Sequence, residues 1–296
     1  MAAIVNKSRP VGNRSRPRPR SSIRVSTLIL YIVAVIFALL WLFPLWITIT
    51  TAMKSTPDFI SNAFWLFPRE FNLVQNMTQA WNSGGLGQGF VNSLIYGVLG
   101  GALAVLIAGL ASYGLVVLKV PGAFTWFLII YSGTLFPLQI YIVPLYQAYN
   151  ALGLYDTQIG MVIFYTAFAV PFATLVMRGF FSTIPEEIAA AARVDGGSEF
   201  AIFWRIYLPL SFSALLVVFL LQFTAIWNDL LFGLVLSNSN EVRPIMPSLT
   251  SLSGIYNGAS FTVVLAGALL ASAPTLVLFL GLQKYFLQGL TLTVKK

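Results

Sequence analysis

The chain has 296 residues, 58% hydrophobic and only 9% charged, with a net charge of +8; soluble domains run at roughly 45–50% apolar and about 25% charged. That balance marks an integral membrane protein. With neither cysteine nor histidine, disulfides and thiolate metal sites are excluded and the commonest general base and metal ligand is missing. Clustered carboxylates are absent too, so no catalytic residue and no metal site is expected.

In chain order, residues 1–24 form a basic tail rich in Arg, Pro and Ser, predicted to be disordered. A nucleic-acid arm is one reading of it, but a topology signal carries more weight, so no nucleic-acid partner is expected. A signal peptide fits poorly, because the apolar run 25–51 far exceeds an h-region of about 7–15 residues. Runs of about 20 apolar residues cross a bilayer, and the sequence predicts six such helices at 25–51, 90–118, 122–146, 156–180, 210–236 and 262–287. Lys119-Val120-Pro121-Gly122 reads as a tight turn between the second and third. Pro137 and Pro144 predict a kink or break in the third.

If the N-terminus is cytoplasmic, 14 of the 17 Lys and Arg residues fall on that side, and only Lys54, Arg69 and Arg243 lie opposite. The positive-inside rule then places both termini and the segment 185–209 in the cytoplasm. Small residues recur within the spans: Gly97 and Gly101 form a GxxxG pair continued by Ala104, Ala108 and Ser112, and Ala266, Gly267 and Ala271 repeat the pattern. These faces suit close helix packing within the chain or against a second membrane subunit.

Few polar residues occupy the spans. Asn92, Gln139, Gln222, Asn228 and Asp229 are costly there and face a bundle interior or an aqueous path. Trp227-Asn228-Asp229 has two readings. The indole, amide and carboxylate suit a hydroxyl-rich solute. Equally, they suit an interfacial Trp anchor with Asn and Asp bonding a neighbouring helix.

The segment 181–209 is polar and reads as two short helices. Thr183 with Glu186 three residues later is a capping-box candidate, Pro185 suits a first turn, and Glu186 and Glu187 favour the positive end of the dipole. Ala189 to Ala192 propagate the helix, and Asp195-Gly196-Gly197 stop it. Ser198 is expected to cap a second helix running to Tyr207 with an aromatic stripe of Phe200, Phe203, Trp204 and Tyr207, ended by Pro209. A short helix with small side chains suits a groove in a soluble partner, whereas the aromatics alone also suit an interfacial helix.

The spacing of this segment resembles the EAA loop of ABC-importer permease subunits: Glu-Ala-Ala, three residues, Gly, nine residues, Ile-x-Leu-Pro. Ala191, Ala192, Gly196, Ile206, Leu208 and Pro209 match in register, with Ile206-Tyr207-Leu208-Pro209 closing the pattern. Pro185, Glu187, Asp195-Gly196, Asn92-Ser93-Leu94, Trp227-Asn228-Asp229 and the closing Gln283-Lys284-Tyr285-Phe286, Gly289-Leu290-Thr291 and Val294-Lys295 are similar to the carbohydrate subfamily related to the maltose-importer permeases. One departure stands out: Ala190 occupies the place of the motif glutamate, so a salt bridge from that position to an ATPase is missing.

The resemblance implies an all-α, type I ABC-importer permease in the bacterial inner membrane, with 25–296 as the transmembrane permease domain and 181–209 as its coupling loop. It implies a second, MalF-like permease subunit, two ATPase subunits that bind ATP and Mg, an extracytoplasmic solute-binding protein and surrounding lipid. The sequence has no phosphate-binding Gly-x-x-x-x-Gly-Lys-Ser/Thr loop, so ATP chemistry is expected in the partners and no cofactor in this chain. Gly196 is expected to take a left-handed turn that seats the first helix. An ion-coupled secondary carrier is the alternative; it needs ionisable groups at the bilayer midplane, and only Asp156 and Asp229 lie near spans.

Overall fold

The structure, a computed structural model, describes residues 25–253 and 259–294. The basic tail and its predicted disorder lie outside the described residues. Contacts divide the chain into units 1–46 and 47–296. In the first unit, the apolar side chains of helix α1 (Val25–Ala52) are almost all exposed, a surface suited to lipid or to another apolar helix.

The second unit contains the end of α1 and twelve further helices among the described residues: α2 (Thr56–Ser61), α3 (Leu73–Asn82), α4 (Leu86–Val116), α5 (Ala123–Ser132), α6 (Ile142–Ala151), α7 (Gln158–Phe181), α8 (Glu186–Val194), α9 (Glu199–Leu210), α10 (Phe212–Trp227), α11 (Leu231–Leu236), α12 (Ile245–Leu252) and α13 (Phe261–Val294). No strand occurs among the described residues. The centre is α4 laid along α7, with α10 against α4, α7 and α13.

The small faces explain this packing. A Cβ on Gly97 would stand 2.7 Å from the Phe223 ring, and one on Gly101 would stand 3.3 Å from Phe219. Both contacts are to α10, so the GxxxG pair serves packing within the chain. Ala104, Ala108 and Ser112 are fully buried, and the Ser112 hydroxyl donates to the Thr174 carbonyl of α7 at 3.3 Å. Gly97 and Gly100 lie in a π-turn, Tyr96–Gly100, inside α4.

Among the described residues, four helices are long and apolar enough to cross a membrane, or five when α9 and α10, bent by 77°, count as one. The expected third span, 122–146, is instead broken. The ten-residue α5 ends at Ser132; a turn over 133–137 leads through a 3-10 turn, Leu138–Tyr141, into α6. Pro137 starts that turn, since it offers no N–H to continue a helix. Pro144 does not kink α6, because it sits in the first turn, where N–H groups are unsatisfied anyway. The fifth predicted span is interrupted after Trp227 and resumes as the short α11. The turn at 119–122 is present, with Lys119 at φ 50° and Gly122 at φ 71°.

Candidate functional site

The loop 181–209 forms the predicted pair of helices. The capping box does not form: the Thr183 hydroxyl donates to the Phe180 carbonyl at 2.7 Å, and Pro185 precedes α8 without a side-chain cap. The Glu186 carboxylate is turned away, accepting from Lys119 Nζ at 2.7 Å. Ser198 does cap α9, accepting from the Ala201 N–H at 3.3 Å.

The turn between α8 and α9 is a Schellman motif. The N–H groups of Gly197 and Gly196 donate to the carbonyls of Ala192 at 2.9 Å and Arg193 at 3.0 Å, with Gly196 in the left-handed region at φ 81°. The two glycines are needed for different reasons. A Cβ on Gly196 meets nothing within 4 Å, so only its backbone conformation restricts it, whereas a Cβ on Gly197 would stand 2.8 Å from the Ala192 carbonyl oxygen.

α8 has two unlike faces. Ala189 is buried in an apolar cluster with Phe181, Ile202, Phe203 and Tyr207, and Ala192 is half-buried beside it. The opposite face exposes Glu187, Ala190, Ala191 and, at 87%, Val194; Asp195 and Gly196 continue it. Positions 187, 190, 191 and 194 recur at helical spacing, so one stripe is free to meet another molecule. Phe200, 71% exposed, and Trp204 extend the apolar part of that surface. Alongside α8, a groove of about 330 Å³ is lined by Val116, Phe181, Arg193 and Tyr207, among others, and reaches Glu187 and Ala190 of that stripe.

The aromatic stripe of α9 is split. Phe203 and Tyr207 are buried, each edge-on to Tyr113 of α4 with centroids 5.4 and 5.2 Å away. Pro209 does not end α9, which runs to Leu210. A π-turn over Phe203–Tyr207 widens the helix just before the proline, a known means of absorbing a missing N–H. Ile206 and Leu208 are half-buried against the same apolar cluster, and Pro209 is exposed.

Sequence reasoning missed the polar joint of this loop. The Glu199 carboxylate accepts from Arg193 Nε at 2.6 Å and Nη2 at 3.3 Å, and from Tyr113 Oη at 2.6 Å. Arg193 first, then Tyr113, holds the Glu199 carboxyl below its usual range. Tyr113 lies 86 residues from its partner, beyond any local pattern.

The polar residues of the spans separate into spent and free groups. Asn92 is fully buried, its amide donating to the carbonyls of Asn240 at 3.2 Å and Arg243 at 3.0 Å and accepting from Gln88 at 3.1 Å. Trp227 is buried, donating to the Ala271 carbonyl at 2.9 Å and packed against Phe223 and Phe90. Asp229 accepts from Tyr165 of α7 at 2.9 Å and from the Gly233 N–H at 3.0 Å, holding the start of α11. Asp156 likewise accepts from the N–H groups of Asn238 and Ser239 at 2.8 and 3.0 Å.

Asn228 differs, because its side chain is exposed and, among the described residues, donates only to the Thr224 carbonyl of its own helix, at 2.8 Å. Gln222 is buried on α10 without a side-chain hydrogen bond among the described residues. Gln139 is exposed on the 3-10 turn. The structure joins none of these three to the other predicted pathway residues through side-chain hydrogen bonds.

Comparison with known proteins gives this geometry a context. The family described as "Binding-protein-dependent transport system inner membrane component" matches residues 112–291. The chain is 31% identical to the probable ABC transporter permease protein YurM of Bacillus subtilis (strain 168), covering 89% of this chain and 84% of that one. It is 30% identical to the osmoprotective compounds uptake permease protein GgtD of Synechocystis sp., covering 98% of each. With the melibiose/raffinose/stachyose import permease protein MelC of Bacillus subtilis it shares 31% identity over 91% of this chain and 95% of that one. Among solved structures, a bacterial ABC transporter involved in the import of the acidic polysaccharide alginate superposes with a TM-score of 0.76 at 23% identity, covering 92% of this chain and 100% of that chain. The fold is therefore that of an ABC-importer permease. The chain belongs to the inner-membrane components of binding-protein-dependent transport systems, as a multi-pass permease subunit of an ABC importer.

Proposed function

We propose that this permease moves a carbohydrate or a related polyhydroxylated solute into the cell. In this reading two separate ATPase subunits bind ATP and Mg and dock on the loop 185–209. A second, MalF-like permease completes the pore, and an extracytoplasmic binding protein delivers solute. Both termini and the loop face the cytoplasm, in keeping with the distribution of Lys and Arg. Relatives whose names specify melibiose, raffinose and stachyose or α-glucosides support the solute class.

The observation that carries the docking role is the exposed stripe of Glu187, Ala190, Ala191 and Val194, backed by the buried Ala189. A helix that is small and exposed on one face and anchored on the other can enter a groove and still transmit force. Without a glutamate at Ala190, the free carboxylates of this surface are Glu187 and Asp195, neither hydrogen-bonded through its side chain among the described residues. ATP acts by favouring one of two existing arrangements of the spans. For solute contact, Asn228, Gln222 and Gln139 are the predicted groups with hydrogen-bonding capacity left, whereas Asn92, Trp227 and Asp229 are committed to the scaffold. The bonded carboxylates of Asp156 and Asp229 leave an ion-coupled carrier without an obvious coupling site.

The test is purification of the tagged chain with its associated subunits, followed by uptake of labelled melibiose or raffinose into proteoliposomes with ATP on the cytoplasmic side. Co-purification of an ATPase and ATP-dependent uptake are expected. Uptake driven by an ion gradient without ATP would overturn the reading.

A further inference from the structure

We infer that Glu199 is a positioning residue that fastens the loop to α4, so that a displacement of α8 is passed to that span rather than absorbed within the loop. The inference rests on the docking role proposed above and adds to it the joint through which docking acts.

Three elements meet at one carboxylate. Arg193 is in the last turn of α8, Glu199 in the first turn of α9 and Tyr113 in the last turn of α4. Both carboxylate oxygens are engaged: Oε1 by Arg193 Nε at 2.6 Å, Oε2 by Tyr113 Oη at 2.6 Å and Arg193 Nη2 at 3.3 Å. Bonds to an ionised acceptor at these lengths are the strong kind, and the forked guanidinium fixes orientation as well as distance. The Tyr113 ring is buried and packs edge-on to Phe203 and Tyr207 of α9, so the helix that carries Glu199 grips both the ring and the hydroxyl of this α4 residue.

The other contacts between the loop and the spans are weaker. Lys119 and Glu186 also bridge the loop to the turn after α4, but their side chains are 62% and 76% exposed against 40% and 42% for Arg193 and Glu199, and among the described residues they have no third partner such as Tyr113, so solvent screens that pair more. The remaining contacts, from Ala189, Phe181, Ile202 and Tyr207, are apolar and non-directional, so they hold the elements together without fixing their angle. The turn between α8 and α9 is made of two glycines, with open space around Gly196. Without the Arg193–Glu199 bond, that turn is where relative motion of the two helices would be lost.

The experiment compares Glu199→Gln and Tyr113→Phe in the complete importer, reconstituted with its ATPases, companion permease and binding protein. It reads ATPase co-purification, ATP hydrolysis and solute transported per ATP. Both variants should retain the ATPase and hydrolyse ATP within about two-fold of the parent, while solute per ATP falls about five-fold or more, the weight of one lost charge-assisted bond. The double variant should be no worse than Glu199→Gln alone, because Tyr113→Phe removes only one of the contacts that the Glu199 carboxylate makes. Tyr113→Phe keeps the ring and its packing, so it decides the matter even if Glu199→Gln fails to assemble. An unchanged transport ratio in Tyr113→Phe would overturn the inference, and so would a parallel loss of ATPase binding and uptake. Failure of the unmodified importer to couple uptake to ATP would instead overturn the docking role itself.

Discussion

The loop 181–209 and the segment 228–245, at the two ends of α10, are both polar interruptions of an apolar chain, yet they use polarity in opposite ways. In 228–245 the side chains that bind it, Asn92, Tyr96, Asp156 and Ser93, are directed at its backbone: Tyr96 Oη donates to the Val242 carbonyl at 2.7 Å, and Ser93 Oγ accepts from the Ile245 N–H at 2.8 Å. In 181–209 the ionic bonds join side chain to side chain at the base, and the outer stripe of α8 keeps Glu187 and two alanines exposed. The first arrangement satisfies buried peptide groups and fixes a loop. The second stiffens a projection while leaving its surface available.

That contrast can be broken most forcefully at Gly196. Gly196→Leu places a bulky side chain on the exposed side of the Schellman turn in a conformation costing roughly 1–2 kcal/mol for an L-residue. The membrane subunit should still fold, as judged by its elution profile in detergent, while uptake is abolished and ATPase co-purification falls. Normal uptake would show that the turn is not part of the contact. Trp227→Ala tests the opposite region. It should lower stability by about 3–5 kcal/mol through the lost buried ring, read as a fall in the melting temperature in detergent. Strong loss of solute affinity at unchanged stability would instead return the indole to the solute path.

Asn228→Ala sharpens the comparison further, because this exposed amide is the exception within its own region. Stability should change by no more than about 0.5 kcal/mol, while the KM for solute rises several-fold in uptake assays. Unchanged KM and selectivity would make it a surface group. The smallest effect is expected from Lys119→Gln, which removes an exposed ion pair: uptake per ATP should stay at the parent value, and a marked drop would mean that the loop is held at Glu186 as well as at Glu199.

Much of the loop was legible because its determinants are local. Proline, a pair of glutamates, a run of four alanines, two glycines and a serine act within a turn or two of their own position. The capping box failed for the same kind of reason seen from outside: Lys119, 67 residues away, takes the Glu186 carboxylate. The break of the third span was only half legible. Pro137 lies in the break, opening the 3-10 turn after α5 has already ended at Ser132, whereas Pro144, indistinguishable in sequence, landed in a first turn where it costs nothing. Within Trp227-Asn228-Asp229, three consecutive polar-bearing residues diverged because each points to a different neighbour: Ala271, its own helix, and Tyr165. No pattern in one sequence encodes which neighbour a span will face.

The 77° elbow between α9 and α10 has a mechanical meaning. Its corner, Ser211, is fully buried, so a rigid turn about that corner would carry α9 and α10 as the two arms of a bell crank. At 1.5 Å per residue the twelve-residue α9 is about 18 Å long and the sixteen-residue α10 about 24 Å, so a push of about 3 Å at the far end of α9 turns the crank by about 10° and carries the tip of α10 sideways by about 4 Å. That tip is Trp227, next to the exposed Asn228.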